Sequence, residues 1–428
     1  MTSWLQHTLP GGLVLVQQHR PGVGLVAARL WLRGGSSRDP QGGRGAMQLL
    51  AGLMTRGCGQ LDAEQLADLV EGRGAALRSE AHEDALVISL KCATEDAPDL
   101  LPLLLAMARQ PSLEADQLEL ERQLNLQSLQ RQQEDPFQLA HDQLRHQLYG
   151  DGPYGHDPLG VEAELEALDV GTLHPLLQQL GDEGALLVIC GDIPGDGSLM
   201  AALVDQLVQT PWTTALPQRH AGAPGLPGPS LALHPQDTEQ VVLLLGSATV
   251  PLGDPDALPL RLLQAHLGMG MSSRLFVLLR EERGLAYDVG VHMPARCGAT
   301  PFVWHLSTSA ERAMEATRCL LEEWERLLEE PLETDALTMA KAKFRGQDAM
   351  GRQTCGQIAD RQALVLGHGL GEDYVARTLE LAETVTPEQL LAAARRHLPR
   401  PRLSLCGPQD ALAQAAAIWE KRAPALQS

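Results

Sequence analysis

The sequence predicts an α+β protein made of two homologous halves, each a mostly antiparallel sheet flanked by helices. Three observations carry that expectation. The 428 residues suit two to three domains of ordinary size. A Gly/Pro-dominated stretch at 216–229, Leu-Pro-Gln-Arg-His-Ala-Gly-Ala-Pro-Gly-Leu-Pro-Gly-Pro, loses all apolar periodicity and reads as an exposed linker between halves of similar size. Two landmarks also recur at nearly one offset. Leu113-Glu114-Ala115-Asp116-Gln117-Leu118 returns 219 residues on as Leu332-Glu333-Thr334-Asp335-Ala336-Leu337, and a short strand closed by Cys-Gly, 185–191, returns 216 residues on as 402–407. A shared offset points to internal duplication. The expected domains are 1–215, the linker 216–229, and 230–428.

Within the first half, Leu13 to Gln17 and Leu25 to Trp31 read as strands. Residues 43–57 place Ala46, Leu49, Leu50 and Leu53 on one helical face. Ala63 to Gly72 reads as a helix stopped by glycine. Leu86, Ile88 and Leu90 alternate with Val87, Ser89 and Lys91, which marks a strand. Leu100 to Arg109 and Ala115 to Arg131 are expected helices. The second half repeats the style. Strands are expected at 241–245, 285–292 and 302–308, helices at 256–267 and 272–283, and further helices over most of 310–397. Strands that do not alternate strictly with helices favour α+β over a parallel α/β fold.

Composition excludes several functions. Hydrophobic residues make up 44% and charged residues 21%, which excludes wholesale disorder. With 34 basic and 54 acidic side chains the net charge is −20, so neither nucleic acid nor an anionic membrane surface is an expected partner. Four lysines against thirty arginines read as codon bias. The N-terminus lacks a basic start and an apolar run, and no stretch approaches ~18 apolar residues. The seven cysteines form no C-x-x-C and sit mostly in apolar runs, so buried free thiols and a cytoplasmic location are expected.

Catalytic motifs are absent. The chain holds no H-E-x-x-H, H-x-x-E-H, P-loop or G-x-S-x-G. His141 and His146 lie five apart on a helix, where two ligands to one metal want three or four. His82-Glu83-Asp84 reads as the turn before a strand. Gly268-Met269-Gly270-Met271-Ser272-Ser273 leads into a helix, whose first amides can bind an anion or a carbonyl oxygen or simply form a capped start.

The residues that follow carry a resemblance. Met271-Ser272-Ser273-Arg274-Leu275-Phe276 and then Leu279-Arg280-Glu281-Glu282-Arg283-Gly284-Leu285-Ala286-Tyr287 resemble the second-half signature of the pitrilysin/insulinase-type metallopeptidases, the inverted zincins that include the mitochondrial processing peptidase. Leu9-Pro10-Gly11-Gly12-Leu13 looks like that family's opening strand, and 34–45 resembles the loop before its metal helix. The likeness covers essentially the whole chain. It implies the metallohydrolase fold of that family, with two halves closing like a clam shell around a peptide.

In that family the first half carries H-x-x-E-H and a downstream glutamate that bind zinc and activate water. Aligning Gly57-Cys58 with the family's Gly-Thr puts the motif on Gln48-Leu49-Leu50-Ala51-Gly52. The histidines become Gln48 and Gly52, and the base becomes Ala51. The third ligand falls within 121–128, at Ser128. No histidine lies between 20 and 81, so no nearby register restores the motif. Zinc needs three strong donors, and water without zinc and a base is not activated. This chain is therefore expected to hold no metal or cofactor of its own.

The resemblance implies a role for Arg280 and Tyr287, seven residues apart. In the family this pair orients the scissile carbonyl and stabilises its oxyanion. From spacing alone, Arg280 could instead pair with Glu281 or Glu282 on a wet helix face beside a half-buried tyrosine. A chain with the pair and without the zinc groups fits the non-catalytic subunit of a two-chain peptidase. The zinc sits in a homologous H-x-x-E-H partner, and the substrate is a peptide or precursor peptide held by strand addition. Gly270, Met271 and Ser272 join Arg280 and Tyr287 as expected substrate contacts. The rival expectations are a stand-alone peptide-binding or scaffold pseudoenzyme and a homodimer with an architectural role.

Overall fold

Strict alternation of buried and exposed side chains is rare in this chain's strands; most are buried on both faces, which requires helices on both sides of each sheet. A computed structural model describes residues 4–215, 217, 228 and 230–427. The expected linker 216–229 lies outside the described residues apart from 217 and 228.

In chain order the first half contains β1 (Leu5–Thr8), a 3-10 turn (Pro10–Gly12), β2 (Val14–His19), β3 (Leu25–Arg33), α1 (Ala46–Leu53), β4 (Gly57–Cys58), β5 (Leu61–Asp62), α2 (Ala63–Glu71), β6 (Ala76–Ala81) and β7 (Ala85–Ala93). It continues with α3 (Ala97–Arg109), α4 (Ala115–Gln133), α5 (Pro136–Tyr149), α6 (Glu162–Leu165), α7 (Val170–Gln179), β8 (Ala185–Gly191) and α8 (Ser198–Gln209). The second half contains β9 (Leu231–Pro235), β10 (Gln240–Ala248), α9 (Ala257–Gly268), a π-helical segment (Phe276–Glu282), β11 (Asp288–His292), β12 (Pro301–Ser309) and α10 (Ala313–Glu329). It ends with α11 (Thr334–Met350), α12 (Cys355–Gly367), α13 (Tyr374–Thr384), α14 (Pro387–His397), β13 (Arg402–Gly407) and α15 (Gln409–Gln427).

The first sheet runs β1-β2-β8-β3-β7-β6 and the second β9-β13-β10-β12-β11. Leaving β1 aside, the two orders match strand for strand. The one parallel pair in each sheet also matches, β2 with β8 and β9 with β13, and the other pairs are antiparallel. The duplication and the mostly antiparallel α+β class inferred from sequence both stand in this topology.

The compact units do not follow the sequence halves. One unit comprises Met1–Leu129, Asp157–Arg219 and Ala349–Tyr374; the other comprises Gln130–His156, His220–Asp348 and Val375–Ser428. In the first unit, α1, α2, α3, α7 and α8 bury one face of the sheet, and α12 from the second half covers the other. In the second unit, α9, α10, α14 and α15 bury one face, and α5 from the first half covers the other. Each half thus sends one helix to complete the other half's sheet. Both helices are positioned by N-terminal caps. Asp135 accepts from the Phe137 amide and Thr354 from the Gln357 amide.

Three sequence expectations change. Leu9 to Leu13 is no strand: Gly11 and Gly12 take φ of 75° and 88°, and the segment forms the turn joining β1 to β2. The helix expected over 272–283 is helical only from Arg274, and from Phe276 it widens to π geometry. The strand expected from Leu285 starts at Asp288, because the amides of Leu285 and Ala286 both donate to the Leu279 carbonyl, at 2.7 and 3.1 Å, and wrap the chain around the helix end.

Candidate functional site

The first site element is α1. It buries Ala46, Met47, Leu49, Leu50, Ala51 and Leu53 and leaves Gln48 and Gly52 half-exposed, four residues apart on one face. That face has the spacing for two metal ligands on a helix. Its residues supply one amide and a bare backbone, while Ala51, at the expected base position, is fully buried. α1 packs against β6, the edge strand of its sheet, and Ser79 of β6 donates to Met54 Sδ just beyond α1 at 3.8 Å.

The acidic group against this face is Glu121 of α4, not Ser128. A Cβ at position 52 would lie 2.6 Å from Glu121 Cδ, so Gly52 is what lets the carboxylate lie on the helix. Arg56 donates from Nε to Glu121 Oε1 at 2.6 Å. Ser128, two turns further along α4, donates to the Leu124 carbonyl at 2.9 Å. The stretch 121–128 contains Glu121 in plain view. Its contact with Gly52 is a matter of how α4 crosses α1, which helical periodicity does not encode.

This donor set does not fit zinc. One primary amide, a glycine and an alanine stand where the resemblance leads one to expect two imidazoles and a base. The single carboxylate already carries the Arg56 guanidinium, whose positive charge opposes a divalent cation.

The second site element is the segment from Gly268 to Tyr287. Gly268 lets the end of α9 touch β11: a Cβ there would lie 2.6 Å from the Val291 amide nitrogen. The chain then turns through Gly270, with φ of 75°, and exposes Met271 (75%) and Ser272. Ser273 closes the turn, its amide donating to the Gly270 carbonyl at 3.0 Å. Arg274 fastens the following helix to α10 by a two-pronged ion pair with buried Glu323, at 2.7 and 2.9 Å.

Arg280 stands on the exposed side of the π segment. Its Nη1 donates to the Tyr287 carbonyl at 2.8 Å, and its guanidinium carbon lies 4.9 Å from the centre of the Phe276 ring. A π turn carries an extra residue, which changes the direction of the side chains after Phe276. Gly284 breaks the helix with φ of 60°, and its carbonyl accepts from Arg312 Nη1 at 2.6 Å. Tyr287 then donates its amide to the Ser307 carbonyl at 3.0 Å and leaves its side chain 69% exposed, immediately before the edge strand β11. The structure therefore brings Arg280 to Tyr287 through the latter's main chain, with the phenol free to project. Neither Glu281 nor Glu282 is Arg280's hydrogen-bond partner.

The class of protein is set by this architecture: a duplicated fold of mostly antiparallel sheets flanked by helices. The crystal structure of a peptidase M16 inactive domain from Pseudomonas fluorescens superposes with a TM-score of 0.86 at 22% identity, covering 95% of this chain and 98% of that one. A protease from Helicobacter pylori gives 0.83 at 16% identity, covering 95% and 100%. Residues 14–160 match the profile of Insulinase (Peptidase family M16), and 180–344 match that of the Peptidase M16 inactive domain. Among similar sequences is an uncharacterized zinc protease of Streptomyces coelicolor, 24% identical over 94% of this chain and 89% of that protein. Another, from Mycobacterium leprae, is 27% identical over 91% and 88%. This chain belongs to the insulinase (M16) peptidase family. Among the described residues no helix is long and apolar enough to cross a membrane.

Proposed function

We propose that this chain is the non-catalytic subunit of a two-chain zinc peptidase, lending Arg280 and Tyr287 to a homologous partner that carries H-x-x-E-H. The observation that carries this reading is the contrast between the two site elements. α1 has lost every group that could hold metal or move a proton, while the Arg280–Tyr287 segment keeps two hydrogen-bond donors beside a free sheet edge. Both site elements adjoin edge strands, α1 beside β6 and Tyr287 at the start of β11. Unpaired backbone groups on such edges suit an extended peptide added as a further strand. The peptide's carbonyl would accept from Arg280 and Tyr287, and Gly270, Met271 and Ser272 would line the approach. Metal and base come from the partner, and the substrate is a peptide or precursor peptide. A cytoplasmic setting suits the free thiols.

The test is coexpression with an H-x-x-E-H relative encoded nearby. Copurification and peptide cleavage that needs both chains support the reading; cleavage by the relative alone at the same rate removes it. The bond from Arg280 to the Tyr287 carbonyl favours a second reading, in which the arginine braces its own loop and the chain is a stand-alone peptide-binding scaffold. Peptide binding without any partner-dependent turnover would select that one.

A further inference from the structure

β8 is the strand on which two buried faces meet. Leu186, Val188 and Cys190 point to the α12 side, and Ala185, Leu187 and Ile189 to the opposite core. α12 answers with Cys355, Ala359 and Ala363, spaced by one turn each, so its first residue comes to rest over the last residues of the strand. There Cys190 and Cys355 lie in one buried cluster, where Cys355 adds to the burial that raises the Cys190 thiol and the Arg20 cation opposes it. Gln18, paired with Cys190 across β2 and β8, accepts from its Sγ at 3.8 Å. The Thr354 cap fixes the helix end that carries Cys355.

We infer that Cys190 and Cys355 form a dithiol that a hydroperoxide converts to a disulfide, fastening α12 to β8. The two residues differ in access: Cys355 is 7% exposed and Cys190 fully buried. Peroxide therefore meets Cys355 first. The Cys355 sulfur attacks the peroxide oxygen, the O–O bond breaks, and water leaves with the thiol proton, giving a sulfenic acid. Cys190 then attacks that sulfur, the S–S bond forms as the S–O bond breaks, and its own proton departs with the second water. Two thiols are oxidised and one peroxide is reduced to two waters. Burial pushes the free Cys190 thiol up to about 12, which protects it from bulk oxidants, while Arg20 supports negative charge on it during attack. The bond would join positions 165 residues apart in sequence and hold the helix that the second half of the chain contributes to the first sheet.

The test uses the full chain, reduced, desalted, exposed to hydrogen peroxide, and alkylated in denaturant before digestion and mass spectrometry. The expected product has lost two hydrogens and yields one cross-linked peptide containing Cys190 and Cys355. Amide exchange over 358–366 should slow roughly tenfold or more and recover with dithiothreitol. Cys355→Ser and Cys190→Ala should each abolish the two-hydrogen loss. Full alkylation of both residues, under peroxide that has oxidised the half-exposed Cys297, would overturn the inference; so would an undiminished two-hydrogen loss in Cys355→Ser.

Discussion

Arg280 holds the main chain of Tyr287, donating from Nη1 to its carbonyl oxygen at 2.8 Å, while the Tyr287 side chain stays 69% exposed. The guanidinium is therefore tied to the tyrosine's backbone, while the phenol is free at its tip. One of the arginine's several donors is spent on the loop, and the remainder are available to a bound carbonyl.

That geometry makes two substitutions separable. In a complex with an H-x-x-E-H partner, Tyr287→Phe should leave melting unchanged, because the exposed phenol supports nothing in the fold, and should cut turnover by ~10²–10³, the scale for losing an oxyanion donor. Arg280→Ala should cut turnover comparably and also cost about 0.5–1 kcal/mol of stability through the lost loop bond. Peptidase rates and denaturation midpoints on both variants check this. Unchanged rates would leave only the bracing role.

The close approach of Glu121 to Gly52 predicts a coupling. Gly52→Ala places a Cβ against the Glu121 carboxylate that Arg56 holds, so the ion pair must shift or the helix must move. The expected loss is about 1–2 kcal/mol. Glu121→Ala removes the obstacle, so the double variant should be more stable than the two single losses added together predict, by about 1 kcal/mol. Urea unfolding of the four proteins measures it. Simple additivity would show that Glu121 does not lie on position 52.

These contacts mark where the sequence stops being informative. The strands Ala185–Gly191 and Arg402–Gly407 were legible to the residue because leucine-containing stretches end at a Cys-Gly that needs no tertiary context. β6, reading Ala-Leu-Arg-Ser-Glu-Ala, carries no β-branched or aromatic residue and is made a strand by pairing with β7. The apolar stripes of α5 and α12 say which face is buried, and nothing local says that it is buried on the sheet of the opposite half. The π turn depends on a hydrogen-bond register that composition does not record. The likeness around Arg280 could therefore locate the arginine and the tyrosine but not the carbonyl that joins them.

α12 should be the first sheet's most sensitive attachment. Arg29 of β3 is 4% exposed and forms a two-pronged ion pair with Asp360 of α12, with Nη2 to Oδ2 at 3.2 Å. Asp360→Ala strands a buried guanidinium. The cost should be about 1–3 kcal/mol, the lower part of the range for broken buried pairs, because Asp360 itself is exposed. Gly367→Ala drives a methyl group into the Trp31 indole at the helix's other end and should cost as much or more. Hydrogen exchange should show α12 opening first in both. Loss of protection spread evenly over the first unit would count against a local attachment.

A half-buried histidine sets a pH limit for the second unit. His266, in the last turn of α9, is pushed down to about 4 from its ordinary value of 6.5, chiefly by burial. Glu323 of α10 favours its cation, while Lys343 of α11, Arg274 and Arg326 oppose it. The folded state therefore binds this proton less readily than the unfolded chain. Its contribution is intact above pH 6.5 and declines as the pH falls toward 4, where the folded protein finally accepts the proton. At 1.36 kcal/mol per unit the total is on the order of 3 kcal/mol. His266→Gln removes the titration and keeps most of the volume. The stability advantage of the native chain over this variant should shrink by about 2 kcal/mol between pH 7.5 and 4.5. Carboxylates titrating over the same range act on both proteins and cancel in the difference, so parallel pH profiles would mean that His266 is not held neutral by its surroundings.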